Sequence, residues 1–407
     1  MRHSTLLLTL IVVAYSLSCV SRGHSDQPGN SPSEERTAIL RSIPALVNEE
    51  THPAVEAIET QIKGEAGSVF EFKQAQFVTE MHGWAMSGDS IYRTKDGGKT
   101  WERLPPEPEK EATFETFFFI NESRGWLTAV KRAYTKRYGL GNSSMIMVTD
   151  DGGESWKLQA SFANEVVINE LRFFNANEGL AVGGQVIDDR PPYHELLVLR
   201  TSNGGSEWNN ISEAAKTAIK EEYGLPSDAG KHIEWTASSV LLLTRFGRII
   251  NSTDNGKTWK LVVTLKREMT TAIKSTTGNV KLVLDPQQRI RIVAVGYGGE
   301  YAANFVIQEN SQWTSYDTKL TPIRDALFLS NNEVLACGAS LWPNDDERKR
   351  HPANAGVILR SFDSGKSWQP IYRSKSYETF FYLTKVKDNQ FYAVSDTGTF
   401  LRFNLPL

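Results

Sequence analysis

The chain has 407 residues, of which 40% are apolar and ten are Trp, so it can build a sizeable hydrophobic core. Its 45 basic and 48 acidic residues nearly balance, which argues against a nucleic-acid-binding surface. Two cysteines exclude a disulfide framework, and the sequence lacks the Cys/His spacing of a zinc site. We expect no metal or other cofactor.

The N-terminus has the pattern of a secretory signal. A basic start at Met1–His3 precedes the apolar run Leu6–Val13, which is too short to span a bilayer, and small residues follow. We predict a signal peptide over residues 1–18. Cys19 directly after the cleavage site is typical of a bacterial lipoprotein, so we predict lipidation at Cys19. The lipoprotein pattern prefers Leu where Ser16 stands, and the alternative is ordinary secretion with an incidental cysteine. Either way the protein is expected to be exported to the cell envelope, membrane-anchored or secreted.

A polar segment separates this start from the folded body. Residues 19–36 hold Ser, Gly, Pro, Asp and Glu with few apolar side chains, a composition that predicts a flexible tether. Residues 37–54 form a lead-in, in which Ile39, Leu40, Ile43 and Val47 have the spacing of a short helix broken at Pro44. Strand-like patterns begin at Val55 and continue to the end of the chain.

One eight-residue motif recurs five times in residues 55–407. Its pattern is S/T-x-D/N-x-G-x-S/T-W, with Glu207 replacing the second Ser or Thr in the third copy, and its copies lie at 94–101, 149–156, 201–208, 252–259 and 361–368. The Asp or Asn can accept hydrogen bonds from backbone N–H groups two and three residues on, and the Gly allows a positive φ. Each copy follows a short apolar run, so each is predicted to be a tight turn between two strands, sealed by its Trp.

The spacing of the Trp residues predicts the architecture. Consecutive copies lie 55, 52 and 51 residues apart, and the last interval is 109, twice the period. Trp313 lies midway in that interval and marks an eroded copy. A period of about 50 residues with four strand-like runs is typical of the blades of a β-propeller. The last three strand-like runs, near Phe380, Phe391 and Thr399, lack a fourth, and residues 55–62 alternate apolar and polar. We therefore predict an all-β, seven-bladed propeller in which this N-terminal strand completes and closes the last blade.

At these residues the sequence resembles the Asp-box, or BNR-repeat, β-propellers. The matching turn residues are Asp96, Trp101, Asp151, Trp156, Asn203, Trp208, Asp254, Trp259, Asp363 and Trp368. Asp-boxes occur in sialidases and other glycosidases, in sorting receptors and in non-enzymatic assembly factors. The resemblance therefore implies the fold, whereas function has to be argued from a site.

The long insertions predict the binding face. If every motif turn joins strands three and four of a blade, the turns share one face, and the insertions lie on the opposite face. A rigid scaffold commonly presents functional loops in this way. The alternative is that they are tolerated surface insertions. Candidate binding residues in them are Arg132, Tyr134, Arg137, Tyr138, Asp189, Arg190, Tyr193, His194, Tyr297, Trp342 and Arg348.

Two functions remain open at this point. A sialidase-like or other exo-acting glycosidase would need converging carboxylates, or a Tyr–Glu pair with an arginine triad. Glu300, Tyr301 and Asp345 are weak candidates, and the Arg-Ile-Pro motif of sialidases is broken by an extra residue at Ser42. The repeat layout is more similar to the photosystem II stability and assembly factors, a resemblance that implies a non-catalytic scaffold. We predict an exported module that binds a protein or glycan partner, with the membrane engaged only through a lipid at Cys19.

Overall fold

Antiparallel four-stranded units recur along the chain in the computed structural model. The residues that it describes are 40–44, 46–47, 55–63, 70–88, 90–105, 112–135, 139–162, 166–189, 192–219, 228–236, 238–264, 280–294, 304–309, 312–317, 323–340 and 355–405. These residues form thirty strands, one helix and seven sheets. Every described residue belongs to one compact unit, residues 36–407.

Three strands precede the first complete sheet. They are β1 (Leu40–Pro44), β2 (Leu46–Val47) and β3 (Ala57–Gln61). Sheets one to three follow in chain order: β4 (Phe72–Phe77), β5 (Gly83–Ser87), β6 (Ser90–Thr94) and β7 (Glu102–Arg103); β8 (Ala112–Phe119), β9 (Gly125–Thr135), β10 (Gly139–Thr149) and β11 (Lys157–Ser161); β12 (Val166–Phe173), β13 (Gly179–Asp189), β14 (Pro192–Thr201) and β15 (Asn209–Asn210).

A single helix, α1 (Ser212–Ala218), separates sheets three and four. Sheets four to six follow: β16 (Gly230–Trp235), β17 (Val240–Thr244), β18 (Arg248–Ser252) and β19 (Lys260–Thr264); β20 (Val280–Leu284), β21 (Ile290–Ala294), β22 (Asn304–Glu309) and β23 (Gln312–Asp317); β24 (Ile323–Phe328), β25 (Val334–Ser340), β26 (Ala355–Ser361) and β27 (Ser367–Tyr377). Sheet seven contains β28 (Phe380–Lys387), β29 (Gln390–Ser395), β30 (Thr399–Asn404) and β3.

The first strand of each sheet, here called an inner strand, lies against the inner strand of the next sheet. The series runs through β4, β8, β12, β16, β20, β24 and β28, and β28 again contacts β4. Strand β3 pairs antiparallel with β30, with Ala57 opposite Phe403 and Gln61 opposite Thr399. The N-terminal strand thus lies beside the last three strands, where the alternation of residues 55–62 had placed it.

The prediction of a short helix in residues 37–54 is wrong. Strand β1 pairs parallel with β23, and β2 pairs parallel with β27. The apolar residues that fit a helical period therefore belong to two short extended strands, each added to the free edge of a sheet. Tertiary pairing overrides a weak local pattern here, since Pro44 leaves too few residues on either side for a stable helix.

The five motif copies form turns between the third and fourth strands of their sheets. In sheet two, Gly153 N and Asp151 Oδ1 lie 2.9 Å and 2.7 Å from Thr149 Oγ1, and Ser155 N donates to the same Asp151 oxygen at 2.9 Å. This N–H is four residues on, whereas we expected two and three; in sheet six, Lys366 N, three residues on, also donates to Asp363 Oδ1 at 3.1 Å. Gly153 has φ 92, and its equivalents are also positive.

The core lies between the faces of neighbouring sheets. Trp84 of β5 stacks on Phe119 of sheet two with ring centroids 3.7 Å apart, and its Nε1 donates to Gly152 O in the turn of sheet two at 3.0 Å. Trp126 repeats this arrangement on Phe173 and Gly204 O of sheet three. Each Gly-Trp step of the sequence therefore bonds one sheet to the motif turn of the next.

Helix α1 has seven residues and ends at Ala218. Ala215 is fully buried and packs between sheets three and four. Within the described ranges, no helix has the length and apolarity needed to cross a membrane.

Candidate functional site

Bulges in the inner strands bring polar side chains to the contacts between neighbouring sheets. In six of the seven inner strands, the pairing with the second strand shifts by one residue near the start of the strand. The extra residues are Lys73, Glu115, Asn169, Lys231, Arg324 and Phe381. Strand β20 has no such shift. A bulge breaks the alternation of side chains, so it can place two consecutive side chains on the same face of a sheet.

In sheets one and three, both residues of the bulge contact the next inner strand. Lys73 Nζ donates to Phe114 O at 3.0 Å, and Gln74 bonds both N and O of Phe117. Sheet three repeats this geometry: Asn169 Nδ2 donates to Gly230 O at 2.7 Å, and Glu170 Oε2 accepts from Ile233 N at 2.7 Å. The bulges thus supply hydrogen bonds between inner strands that no strand ladder joins.

A buried charge cluster links sheets three and four. Glu170 Oε2 lies 2.9 Å from His232 Nδ1, and Glu170 Oε1 lies 2.9 Å from Arg172 Nε. Glu234 Oε2 lies 3.6 Å from the other imidazole nitrogen. The side chains of His232 and Glu170 are only 8% and 13% exposed. Four alternating charges therefore lie close together where the inner strands β12 and β16 meet.

The pKa values in this cluster follow from its partners. Burial alone would lower the pKa of His232, but the Glu170 carboxylate outweighs burial and raises this pKa to about 9. Burial alone would raise the pKa of Glu170, but His232 and Arg172 lower it to about 2. The pKa of Glu234 is also lowered, because His232 and Arg172 outweigh its burial. All four groups are charged at neutral pH, so the two carboxylates cannot act there as proton donors.

The opposite side of the series of inner strands is also polar. Lys281 Nζ lies 2.7 Å from Asp325 Oδ2, which also accepts from Leu383 N at 3.0 Å. Burial and the Asp325 charge raise the pKa of Tyr382, while the charge of Arg172 acts against them. Arg172 belongs to sheet three and Tyr382 to sheet seven. The charge of Arg172 on sheet three thus acts on Tyr382 of sheet seven.

A cationic group lies at the end of sheets three and four that is opposite to the motif turns. Lys231 is the second residue of β16, Arg245 follows β17, and His194 lies on β14. Burial, Arg245 and Lys231 lower the pKa of His194, and burial and Arg245 lower the pKa of Lys231 despite Glu115. Neither Lys231 nor Arg245 has an ion-pair partner within 4 Å among the described residues. We call Lys231, Arg245 and His194 the cationic group; Lys231 and Arg245 carry its charge, and His194, whose pKa is lowered, is neutral at neutral pH.

Two long hairpins project at the same end. Strands β9 and β10 continue for four residue pairs beyond Lys131, the last partner of β8, and β13 and β14 continue beyond Gln185, the last partner of β12. An overhang of four strand residues is about 13 Å long. Arg132 and Tyr134 lie on the first overhang, and Asp189, Tyr193 and His194 lie on the second. Part of the predicted insertions is therefore regular strand.

The remaining predicted site residues lie outside the described residues. They are Cys19, Arg137, Tyr138, Arg190, Tyr297, Glu300, Tyr301, Trp342, Asp345 and Arg348. Only His194 among the predicted binding residues has a described side chain. Within the described ranges, no three His, Cys, Asp or Glu side chains are grouped to hold a metal ion.

Sequence reasoning missed the charge cluster and Lys231 with Arg245. The signal was present, because Glu170, His232 and Glu234 stand beside the apolar residues Ile168, Leu171 and Ile233 in strands that pack into the core. To interpret these charged residues one must know the bulges in β12 and β16 and the contact between Glu170 and His232, which are 62 residues apart. Neither can be read from the sequence of one strand. A charged residue in an inner strand is the only sequence cue.

Comparison with solved structures identifies the fold. YCF48 bound to a D1 peptide is similar with a TM-score of 0.55 and 17% identity, over 87% of this chain and 99% of that chain. The fold is that of a β-propeller. YCF48 from Cyanidioschyzon merolae has a TM-score of 0.55 and 16% identity, over 85% and 98% of the chains. An ulvan lyase of polysaccharide lyase family PL25 has a TM-score of 0.52 and 10% identity, over 83% and 93%.

These identities are low, so the likeness shows the fold alone. No protein-family model matches the sequence, and no curated protein matches it either. The resemblance to propellers of the assembly-factor type is consistent with these structures, and the same architecture also serves a polysaccharide lyase.

Proposed function

We propose that this protein is an exported, non-catalytic propeller that binds an extended, acidic segment of a partner protein. The binding site comprises the cationic group and the two hairpin overhangs beside it. The observation that carries the proposal is the position of Lys231 and Arg245. Two partly buried cations lie together without an ion-pair partner among the described residues, at the end of the inner strands where the hairpins project.

The physical argument rests on charge and shape. Cations that lower each other's pKa gain from an incoming carboxylate, because the carboxylate removes their mutual repulsion. The overhangs of β9/β10 and β13/β14 stand beside this charge and can flank an extended chain. Among proteins with this fold, YCF48 is known bound to a D1 peptide, which supports a peptide as the ligand class.

Charge reversal tests the proposal. The purified protein is incubated with an array of acidic, neutral and basic peptides, and the same array is probed with the Lys231→Glu/Arg245→Glu variant. We expect acidic peptides to bind the wild type and to lose at least about tenfold in affinity with the variant. Lys99→Glu, in the motif turn of sheet one, is the matched control and should bind normally. Equal binding by both variants would refute the site.

Hydrolysis assays test the non-catalytic part. A panel of aryl glycosides, including a sialoside, should show no turnover by the purified protein. Turnover abolished by Glu300→Gln or Asp345→Asn would replace the binding proposal with the glycosidase alternative.

We also propose a mature form and a closed ring. Residues 1–18 are removed, Cys19 carries the lipid and 19–36 form the tether; the mass of the mature protein, compared with that of Cys19→Ala, tests this.

The seven sheets are the blades of a closed propeller, supported by the contact of β28 with β4 and by the pairing of β3 with β30. Cysteines replacing Ile58 and Arg402, which are register partners, should form a disulfide in oxidant, whereas cysteines at Ile58 and Gln390 should not.

A further inference from the structure

The outer edges of most sheets are protected against further pairing. In sheets two, four and six, the register shifts three residues after the motif Trp, at Gln159, Val262 and Ile371. A bulge bends and twists an edge, which hinders the addition of another strand. In sheets one and three, the outer strands β7 and β15 are only two residues long. The outer strand of sheet seven, β3, carries the charged Glu59.

Sheet five differs in the length and the register of its outer strand, although Asp317 leaves a charge at the end of that strand. Its outer strand β23 has six residues, and none of its three antiparallel pairings has a register shift. It is also the sheet whose motif lost the Asp and the Gly, the residues that form the carboxylate-bonded turn before the outer strand in the sheets that keep the motif. The result is a regular, unbulged outer edge, the kind of edge that accepts a further strand.

The lengths of the added strands β1 and β2 agree with this difference between the edges of sheets five and six. Strand β1 pairs with β23 over five consecutive residues, from Leu40 opposite Trp313 to Pro44 opposite Asp317. On sheet six, β2 pairs over two residues only, opposite Ser367 and Trp368, and stops before the bulge at Ile371. The length of each added strand therefore matches the length of regular edge that its sheet offers.

We propose that the outer edge of β23 is a strand-acceptor site. Its ligand class is an extended protein segment that binds in parallel register, with backbone hydrogen bonds as the main recognition. In the resting chain the occupant is its own segment Leu40–Pro44. The site is separate from the cationic group, which lies on sheets three and four, and does not depend on the function proposed above.

The test opens the edge in the full chain. Successive N–H groups of a strand point to opposite sides, so replacing both Arg41 and Ser42 by Pro removes a donor from the paired side whichever residue supplies it. The probe is a fluorescent synthetic peptide of residues 37–48. It should bind the Arg41→Pro/Ser42→Pro variant with one-to-one stoichiometry, and the wild type at least about tenfold more weakly because its site is filled.

Two controls define the result. A control variant with the two prolines at Asn30 and Ser31, in the expected tether, should bind the peptide as weakly as the wild type does. A peptide with the double proline should bind the opened variant at least about tenfold more weakly than the wild-type peptide, the loss expected from one or two ladder hydrogen bonds. Equal binding of both peptides, or no binding to the folded variant, would overturn the proposal.

A measurement on the wild type keeps the test decisive if the variant does not fold. Single-residue hydrogen exchange should protect all four consecutive amides of Thr314–Asp317, because both edges of β23 are paired. In β11, whose outer edge carries no added strand from the described part of the chain, alternate amides should exchange at least about tenfold faster. Fast exchange of alternate amides in β23 would show that its outer edge is unpaired and would refute the site.

Discussion

Replacing Glu170 by Gln should remove most of the pH dependence of stability above neutrality. The Glu170 carboxylate lies 2.9 Å from His232 Nδ1, also accepts a bond from Ile233 N, and pairs with Arg172. The side chains of Glu170 and His232 are nearly buried, so water screens the attraction between them little. Arg172 and Glu234 are the other charged groups that interact with the imidazole.

The magnitude follows from the pKa of His232. A rise from 6.5 to about 9 corresponds to roughly 3 kcal/mol of stability. Because the pKa is raised on folding, this contribution is fully present below pH 6.5 and is lost as the pH rises to about 9. The pKa of Glu170 is lowered from 4.5 to about 2, so the same pair weakens as the pH falls below 4.5. The pair stabilises the protein most between these limits.

Urea unfolding followed by Trp fluorescence from pH 5.5 to 9 measures this effect. The wild type should lose about 3 kcal/mol across pH 6.5 to 9, and Glu170→Gln should lose far less, because a neutral amide cannot hold the imidazolium. At pH 6 the variant should be less stable by a similar amount, the cost of leaving a buried charge without its partner.

Glu178→Gln is the matched control, because Glu178 pairs with Arg200 in a partly exposed salt bridge. It should cost below about 1 kcal/mol and keep the wild-type pH profile. If wild type and Glu170→Gln show the same change between pH 6.5 and 9, the reasoning about the cluster is wrong.

Three further predictions concern the turns and the buried thiol. The Asp254 pKa is lowered to about 2 by bonds from Thr258 and Ser252, so stability should fall as the pH drops from about 4 to 2, and Asp254→Asn should flatten that slope in acid titrations. In sheet three, Asn203→Asp with Glu207→Ser should stabilise by about 1 kcal/mol in urea unfolding, because Thr258 Oγ1 gives the equivalent bond to Asp254 in sheet four at 2.7 Å; an unchanged midpoint would contradict this. Burial raises the pKa of the Cys337 thiol, so in a Cys19→Ser background a thiol reagent should react only after unfolding.

The repeated motif made much of the fold predictable from sequence. Each copy combines residues whose roles are local, so the turn, the positive φ of Gly153 and the strands on either side follow from a few positions. The fixed interval between Trp residues then predicts where each unit begins, even for the eroded copy at Trp313. The pairing of Ala57–Gln61 with β30 could be inferred because the last three strands lacked a fourth.

The rest depends on contacts between distant residues. Residues 40–47 pair with strands about 270 and 320 residues away, and their local spacing fits a helix as well as a strand. The bulges that bring Glu170 to His232 shift the register by one residue and leave no mark in the pattern of a single strand. The sequence therefore pointed to this end of the sheets and to His194, which stays a prediction, and it did not point to Lys231 and Arg245.

Site-specific photo-cross-linking in cells tests the binding account most directly. A photoreactive phenylalanine analogue replaces Tyr193 on the overhang of β14, and in a second strain it replaces Thr79, on the side of the motif turns. Position 193 should capture one partner protein, and the adduct should disappear when Lys231→Glu and Arg245→Glu are added. An adduct formed only at position 79, or one at 193 that survives the charge reversal, would contradict the proposed site.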